Sequence, residues 1–212
     1  MTSARRVGAQ SSKTRAHMLD SAEKIMLEDG HAMVTYRALA KRAGVTAGLV
    51  QYYFPTLDDL FIAMIHQRTD RNLARLVEAF SLHPDQPLHA VWEFNKDQTT
   101  AVVMTEFLAL ANHRENIKHE VALVIQRSRR ALLAVLEAKW PEYDVFDDAI
   151  TPEVCIFLLQ AIPKMILLED AIDVRTAHTE VLKLVDHFID RLEPVRTKQK
   201  PRKAAKPKAS TR

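Results

Sequence analysis

The chain has 212 residues, with 30 Lys and Arg against 27 Asp and Glu, one Cys, four Gly and nine Pro. That length suits one or two domains with a sizeable core, and 27% charged with 47% hydrophobic residues excludes a wholly disordered chain. A single Cys excludes an intrachain disulfide and fits a reducing compartment. The start of the chain has no apolar run of the secretory kind, and no apolar stretch approaches the roughly 18–20 residues of a bilayer span, so the expectation is a soluble, cytoplasmic protein with no membrane partner.

Apolar residues recur at spacings of three and four without alternation, which predicts an all-α fold. Residues 1–11 read as a basic, disordered arm. The first helix is expected over 12–29, with Met18, Leu19, Ala22, Ile25 and Met26 in one stripe and Gly30 as a left-handed C-cap. Thr35 can cap a short helix to Ala43, Thr46 a second to Tyr53, and Thr56 a long one that ends before Pro84 and Pro87. Helices follow over 88–112, with a possible break near 98–100, and over 115–139. Residues 141–150 read as a loop with an acidic turn at Asp147–Asp148. Thr151-Pro152-Glu153 starts a helix to about Asp170, in which Pro163 should make a kink or a break. A last helix covers 176–192, and residues 195–212 read as a disordered basic tail.

Charge is partitioned along the chain. Residues 1–15 carry +4 and residues 195–212 carry +8, which leaves −9 of the formal +3 for the middle. An acidic body with basic ends points to contact with a polyanion through those ends.

The stretch TYRALAKRAGVTAGLVQYYFPTL, residues 35–57, meets the demands of a helix-turn-helix. Ala40 is small where two helices cross, and Gly44 stands four positions later where the turn needs positive φ. Leu39, Ala43, Val45 and Val50 supply the inward apolar positions. A second helix that buries Val50 turns Ala47, Gly48, Leu49, Gln51 and Tyr52 toward a major groove. Gln51 can pair with an adenine edge, Leu49 and Ala47 can touch thymine methyls, and Arg37 can reach a guanine or a phosphate. The alternatives at this point are that Leu49 packs on a neighbouring helix, that Tyr53 is chiefly a packing residue, and that Arg37 pairs with Glu28 or Asp29.

This segment resembles the DNA-binding domain of the TetR family of bacterial transcription regulators. The resemblance rests on Leu39-Ala40-Lys41-Arg42-Ala43-Gly44-Val45, Thr46-x-Gly48, and Tyr53-Phe54-Pro55 ahead of Asp58-Asp59-Leu60, with a weaker echo in Glu106–Ala111 and Arg114. It departs from the family at Ala47, Gln51 and Leu57, where Lys, Tyr and Lys are usual, so the reading surface is less cationic. The resemblance implies a three-helix DNA-binding domain over 12–57 and a larger helical ligand-binding and dimerisation domain over 58–194. It also implies phosphate contacts from Tyr36, Tyr52, Tyr53 and Thr56, while Arg5 and Arg6 are placed to track the minor groove.

The helices over 151–170 and 176–192 are apolar on more faces than one partner needs. That implies a homodimer through those two helices, matched to a pseudo-palindromic operator in double-stranded DNA. Trp92, Phe94, Met104, Phe107, Phe157 and Met165 are candidate liners of a pocket for a small-molecule effector whose identity the sequence leaves open. Nine histidines show no ligand spacing, so no metal is expected. Cys155 reads as a core thiol, and no catalytic motif or cofactor loop appears, so no enzyme and no cofactor are expected. The expected function is therefore a ligand-responsive regulator, most simply a repressor. The rivals are a weakly specific architectural DNA-binding protein driven by its tails, and an all-α small-molecule binder.

Overall fold

A computed structural model of the chain describes the backbone of residues 3–143 and 150–194, and side chains from Ser12 onward except Gln98. Its α-helices are α1 (Ser3–Asp29), α2 (Tyr36–Ala43), α3 (Ala47–Tyr53), α4 (Leu57–Leu82), α5 (Pro87–Lys96), α6 (Gln98–Ala111), α7 (Glu115–Lys139), α8 (Pro152–Asp170) and α9 (His178–Leu192). Among the described residues there is no strand, and no helix is long and apolar enough to cross a membrane. Asp147–Asp148 and residues 195–212 lie outside the described residues.

Local signals set most boundaries. Thr35, Thr46, Thr56 and Thr151 each accept the backbone N–H three residues on, as helix caps should. Thr56 and Asp59 complete a capping box. Asp97 ends α5 and caps α6 through Thr99 N–H, one residue ahead of the expected break. Three expectations are corrected. Helix α1 starts at Ser3, because the arm carries Ala, Arg and Gln and no proline to stop the helix. Gly30 has positive φ (81°), but its ψ of 165° is extended, so it turns the chain into a 3-10 turn (His31–Met33) without a left-handed cap. Pro163 does not break α8, which runs through it to Asp170 with Pro163 buried.

One buried cluster unites the first three helices with the rest. Met18, Leu19, Ala22 and Ile25 of α1, Leu39 of α2 and Val50 of α3 pack with Leu60, Phe61 and Met64 of α4. The same cluster continues into Val103, Phe107 and Leu110 of α6 and Ile117, Val121 and Val124 of α7. The expected boundary at residue 57 is therefore bridged by a continuous core. A second cluster joins α5, the far end of α7, α8 and α9 around Trp92, Leu132, Leu136, Ile156 and Ile189.

That second cluster is closed by a buried carboxylate. Glu193, just past α9, is 2% exposed. It accepts Leu88 N–H (2.9 Å), His89 N–H (3.0 Å) and the Tyr143 hydroxyl, so it caps the N-terminus of α5 from the other end of the sequence. Burial, followed by this carboxylate, pushes the Tyr143 hydroxyl well above its ordinary pKa and keeps it a donor. Cys155 lies in the same region, and burial pushes its thiol up to about 12, which leaves it a core group. Replacing Glu193 with Ala strands two buried N–H groups and a hydroxyl. We expect a loss of roughly 3 kcal/mol or more in denaturant unfolding, at 1–3 kcal/mol per stranded group.

Candidate nucleic-acid interface and effector cavity

The turn between α2 and α3 is fixed by Gly44, which sits in the left-handed region at φ 65° and ψ 34°. Its N–H and that of Val45 both return to the Ala40 carbonyl. Leu39, Ala40, Ala43 and Val50 are buried as the spacing requires, and Val45 is half-buried. This leaves Ala47, Gly48 and Gln51 exposed, together with Tyr52 at 77% exposure. Arg37 is exposed and makes no ion pair among the described residues; Arg42 is the residue that grips Glu28, through two bonds of 2.5 and 2.6 Å. That bond, ahead of the charges themselves, lowers the Glu28 carboxyl and raises Arg42.

Other predicted contact residues sit differently. Leu49 is half-buried against the core and offers only part of its side chain outward. Tyr53 packs against the same cluster, edge-on to Tyr52 at 5.4 Å. The Tyr36 hydroxyl donates to the carbonyls of Phe54 (3.0 Å) and Pro55 (2.9 Å), so it staples α2 to the end of α3. Burial, then the Asp59 charge, raises its pKa, in keeping with a committed donor. Thr56 likewise gives its hydroxyl proton to Asp59 at 2.8 Å. Each would have to release a native bond to donate to a phosphate. Arg5 and Arg6 belong to α1, but their side chains lie outside the described residues. Sequence reasoning passed over Arg15, an exposed cation beside α3 that stands 5.2 Å over the Phe54 ring and makes no ion pair among the described residues. Its place among the basic residues at the start of α1 is the available signal.

Behind this head lies a cavity of about 80 Å³ between α4, α5, α6, α7 and α8. Of the candidate liners, Phe94, Met104 and Phe107 lie in its wall. Trp92 does not: it is 1% exposed in the second core and donates its indole N–H to Asp186 at 2.6 Å. Phe157 and Met165 do not either. They are 54% and 56% exposed on the outer side of α8, because the residues of α8 that reach the cavity are Gln160 and Lys164. An amphipathic pattern identifies faces but does not say which one meets the pocket.

Polar bonds join cavity wall and head. Glu106 of α6 accepts His31 N–H (2.8 Å) and lies 2.6 Å from His31 Nδ1, just past α1. Arg68 of α4 pairs with Glu23 of α1 and donates to Thr100 of α6 at 3.0 Å. Arg114 pairs with Asp58 at the start of α4.

An exposed short helix, presented by a left-handed glycine turn on a fixed three-helix head, is the arrangement of a helix-turn-helix domain. Residues 18–64 match the profile of the bacterial regulatory proteins of the tetR family. The chain is 27% identical over 135 residues to the HTH-type transcriptional regulator AcrR of Shigella flexneri, covering 61% of this chain and 62% of that protein. It is 29% identical over 140 residues to the HTH-type transcriptional repressor BepR of Brucella suis biovar 1 (strain 1330), covering 62% and 65%. The match thus spans a little under two thirds of the length of each curated relative. In architecture it is similar to a Saccharomonospora viridis protein, assigned as a transcriptional regulator and solved in complex with choline, with a TM-score of 0.71 at 14% identity, covering 84% of this chain and 96% of that one. The chain is thus similar to the tetR family over residues 18–64 and shares its all-helical architecture with solved regulators.

The two glycines of the motif make opposite demands. A Cβ at Gly44 meets no atom within 4 Å but stands at positive φ, whereas a Cβ at Gly48 meets nothing and sits in ordinary helix. Gly44→Ala should lower stability by about 1–2 kcal/mol, and Gly48→Ala should raise it by up to about 1 kcal/mol; thermal unfolding of the two variants checks the opposed signs.

Proposed function

We propose that this protein is a homodimeric, ligand-responsive transcription regulator, acting as a repressor at a pseudo-palindromic operator. The observation that carries the reading is the outward face of α3, where Gln51, Tyr52, Ala47 and Gly48 stand free of the core with Arg37 nearby and unpaired. Gln51 offers a donor and an acceptor for an adenine edge, and Arg37 a fork for guanine or phosphate. Gly48 lets backbone come close to the bases. The repressor assignment follows the relative BepR, whose name states that role.

The dimer reading is supported by the outer faces of α8 and α9. Val154, Phe157, Leu158, Met165, Leu168, Leu184 and Phe188 are 40–56% exposed. Large apolar side chains left open on two helices of one core cluster support an association site, and a two-fold pairing would set two α3 helices at matched half-sites. Ligand response is supported by the cavity, which is walled by the same helices that grip the head.

Gln51→Ala and Arg37→Ala should each weaken operator binding by roughly 1–3 kcal/mol, about 5- to 150-fold, with unchanged thermal unfolding. Fluorescence anisotropy on inverted repeats from the DNA flanking its own gene is the measurement; binding untouched by both changes would refute the assignment of α3. The tails contribute phosphate contacts, so log K should fall with log salt by about 0.9 per contact. Removing residues 195–212 should flatten that slope and leave the footprint in place. Phe157→Glu should convert the dimer to a folded monomer in light scattering, since the side chain already faces outward.

A further inference from the structure

We infer that the cavity takes a small organic anion, an apolar body bearing one carboxylate, whose charge is met by Lys164 and Arg68. This rests on the reading of the cavity as the effector site, and adds the chemical class of the ligand.

The wall of the cavity is chiefly apolar, through residues such as Leu73, Met104, Phe107 and Val124. Its ionisable members are Arg68 and Lys164; no Asp or Glu lines it. Lys164 is half-buried on α8 and makes no ion pair or hydrogen bond among the described residues. Burial, then the neighbouring Arg129, lowers its pKa, the mark of an ammonium without a compensating anion. Arg68 is partly neutralised by Glu23 and gives one further N–H to Thr100, but its Nε is buried and has no partner. A buried donor without an acceptor is costly, and a cation in an apolar wall is costly unless paired. One carboxylate answers both, because guanidinium and ammonium groups form their strongest hydrogen bonds to carboxylates. A cationic ligand would meet Lys164 unpaired and Arg68, with no carboxylate in the lining itself. Asn72, Asn95 and Gln160 remain to orient the rest of the molecule. The volume of about 80 Å³ lies below the roughly 150 Å³ of apolar cavities that take benzene, so the body is one ring at most, and the wall must open to admit it.

The test is calorimetric titration of the full-length protein with benzoate, benzamide and benzamidine, three planar molecules of one shape with charges of −1, 0 and +1. Benzoate should bind about tenfold tighter than benzamide, with benzamidine weakest, on the usual strength of a charge-assisted bond. In Lys164→Met the gap between benzoate and benzamide should shrink to about twofold, and in Lys164→Glu benzamidine should overtake benzoate. Operator binding of both variants without ligand, together with their thermal unfolding, confirms that they are folded. Equal affinity for the three molecules, preference for benzamidine, or a preference unmoved by the Lys164 variants overturns the anion assignment and leaves the cavity an effector site. Binding of none of the three overturns the assignment together with the effector reading of this cavity, while the DNA reading stands or falls on operator binding alone.

Discussion

The orientation of the reading head depends on its union with α4, α6 and α7. Helices of seven and eight residues, as α3 and α2 are, are too short to persist alone. The apolar face they share with α1 is too small for a secure core. Leu60, Phe61 and Met64 of α4, with Val103 and Phe107 of α6, complete it. The Glu106 bonds to His31 and the Arg68 pair with Glu23 add fixed polar directions to that apolar contact. A head held this way moves when its supports move. Phe107 belongs both to the shared core and to the cavity wall, so no gap separates what a ligand touches from what carries α3.

Helix α8 explains an apolar pattern that seemed excessive in the sequence. Its inner side presents Gln160 and Lys164 to the cavity and Cys155, Ile156 and Leu159 to the second core. Its outer side leaves Phe157, Leu158 and Met165 open. On the dimer reading, one helix therefore meets ligand on one face and the partner copy on the other. Pro163 is buried within this helix without ending it.

What was legible in the sequence was local. The threonine caps, the Gly44 turn and the buried positions of α2 and α3 follow from residues at most six apart, where sterics and one hydrogen bond decide the outcome. The bonds that join head and cavity were not legible, because His31 and Glu106 are 75 positions apart and nothing in either neighbourhood announces the other. Glu106 and Arg114 enter only through a resemblance; Glu106 bonds His31 just past α1, and Arg114 ties the start of α4. The resemblance implies phosphate contacts from Tyr36 and Thr56; their hydroxyls are engaged inside the motif, a competition visible only in three dimensions. Phe157 and Met165 were placed in the pocket because periodicity groups residues by face without saying what the face meets.

The arrangement of Arg68 supplies a physical route from cavity to head. Its guanidinium is shared among Glu23 on α1, Thr100 on α6 and an Nε that lacks an acceptor. Any acceptor entering the cavity changes the balance of those bonds, and α1 and α6 are the elements whose relative position sets the head. A ligand can shift a conformational equilibrium only by its differential affinity for the two states, so a site that merely enclosed an apolar ring would bind without signalling. A residue that pairs with α1 through Glu23 and also lines the cavity makes binding depend on the position of the head. By reciprocity, it makes the position of the head, and hence DNA affinity, depend on the ligand.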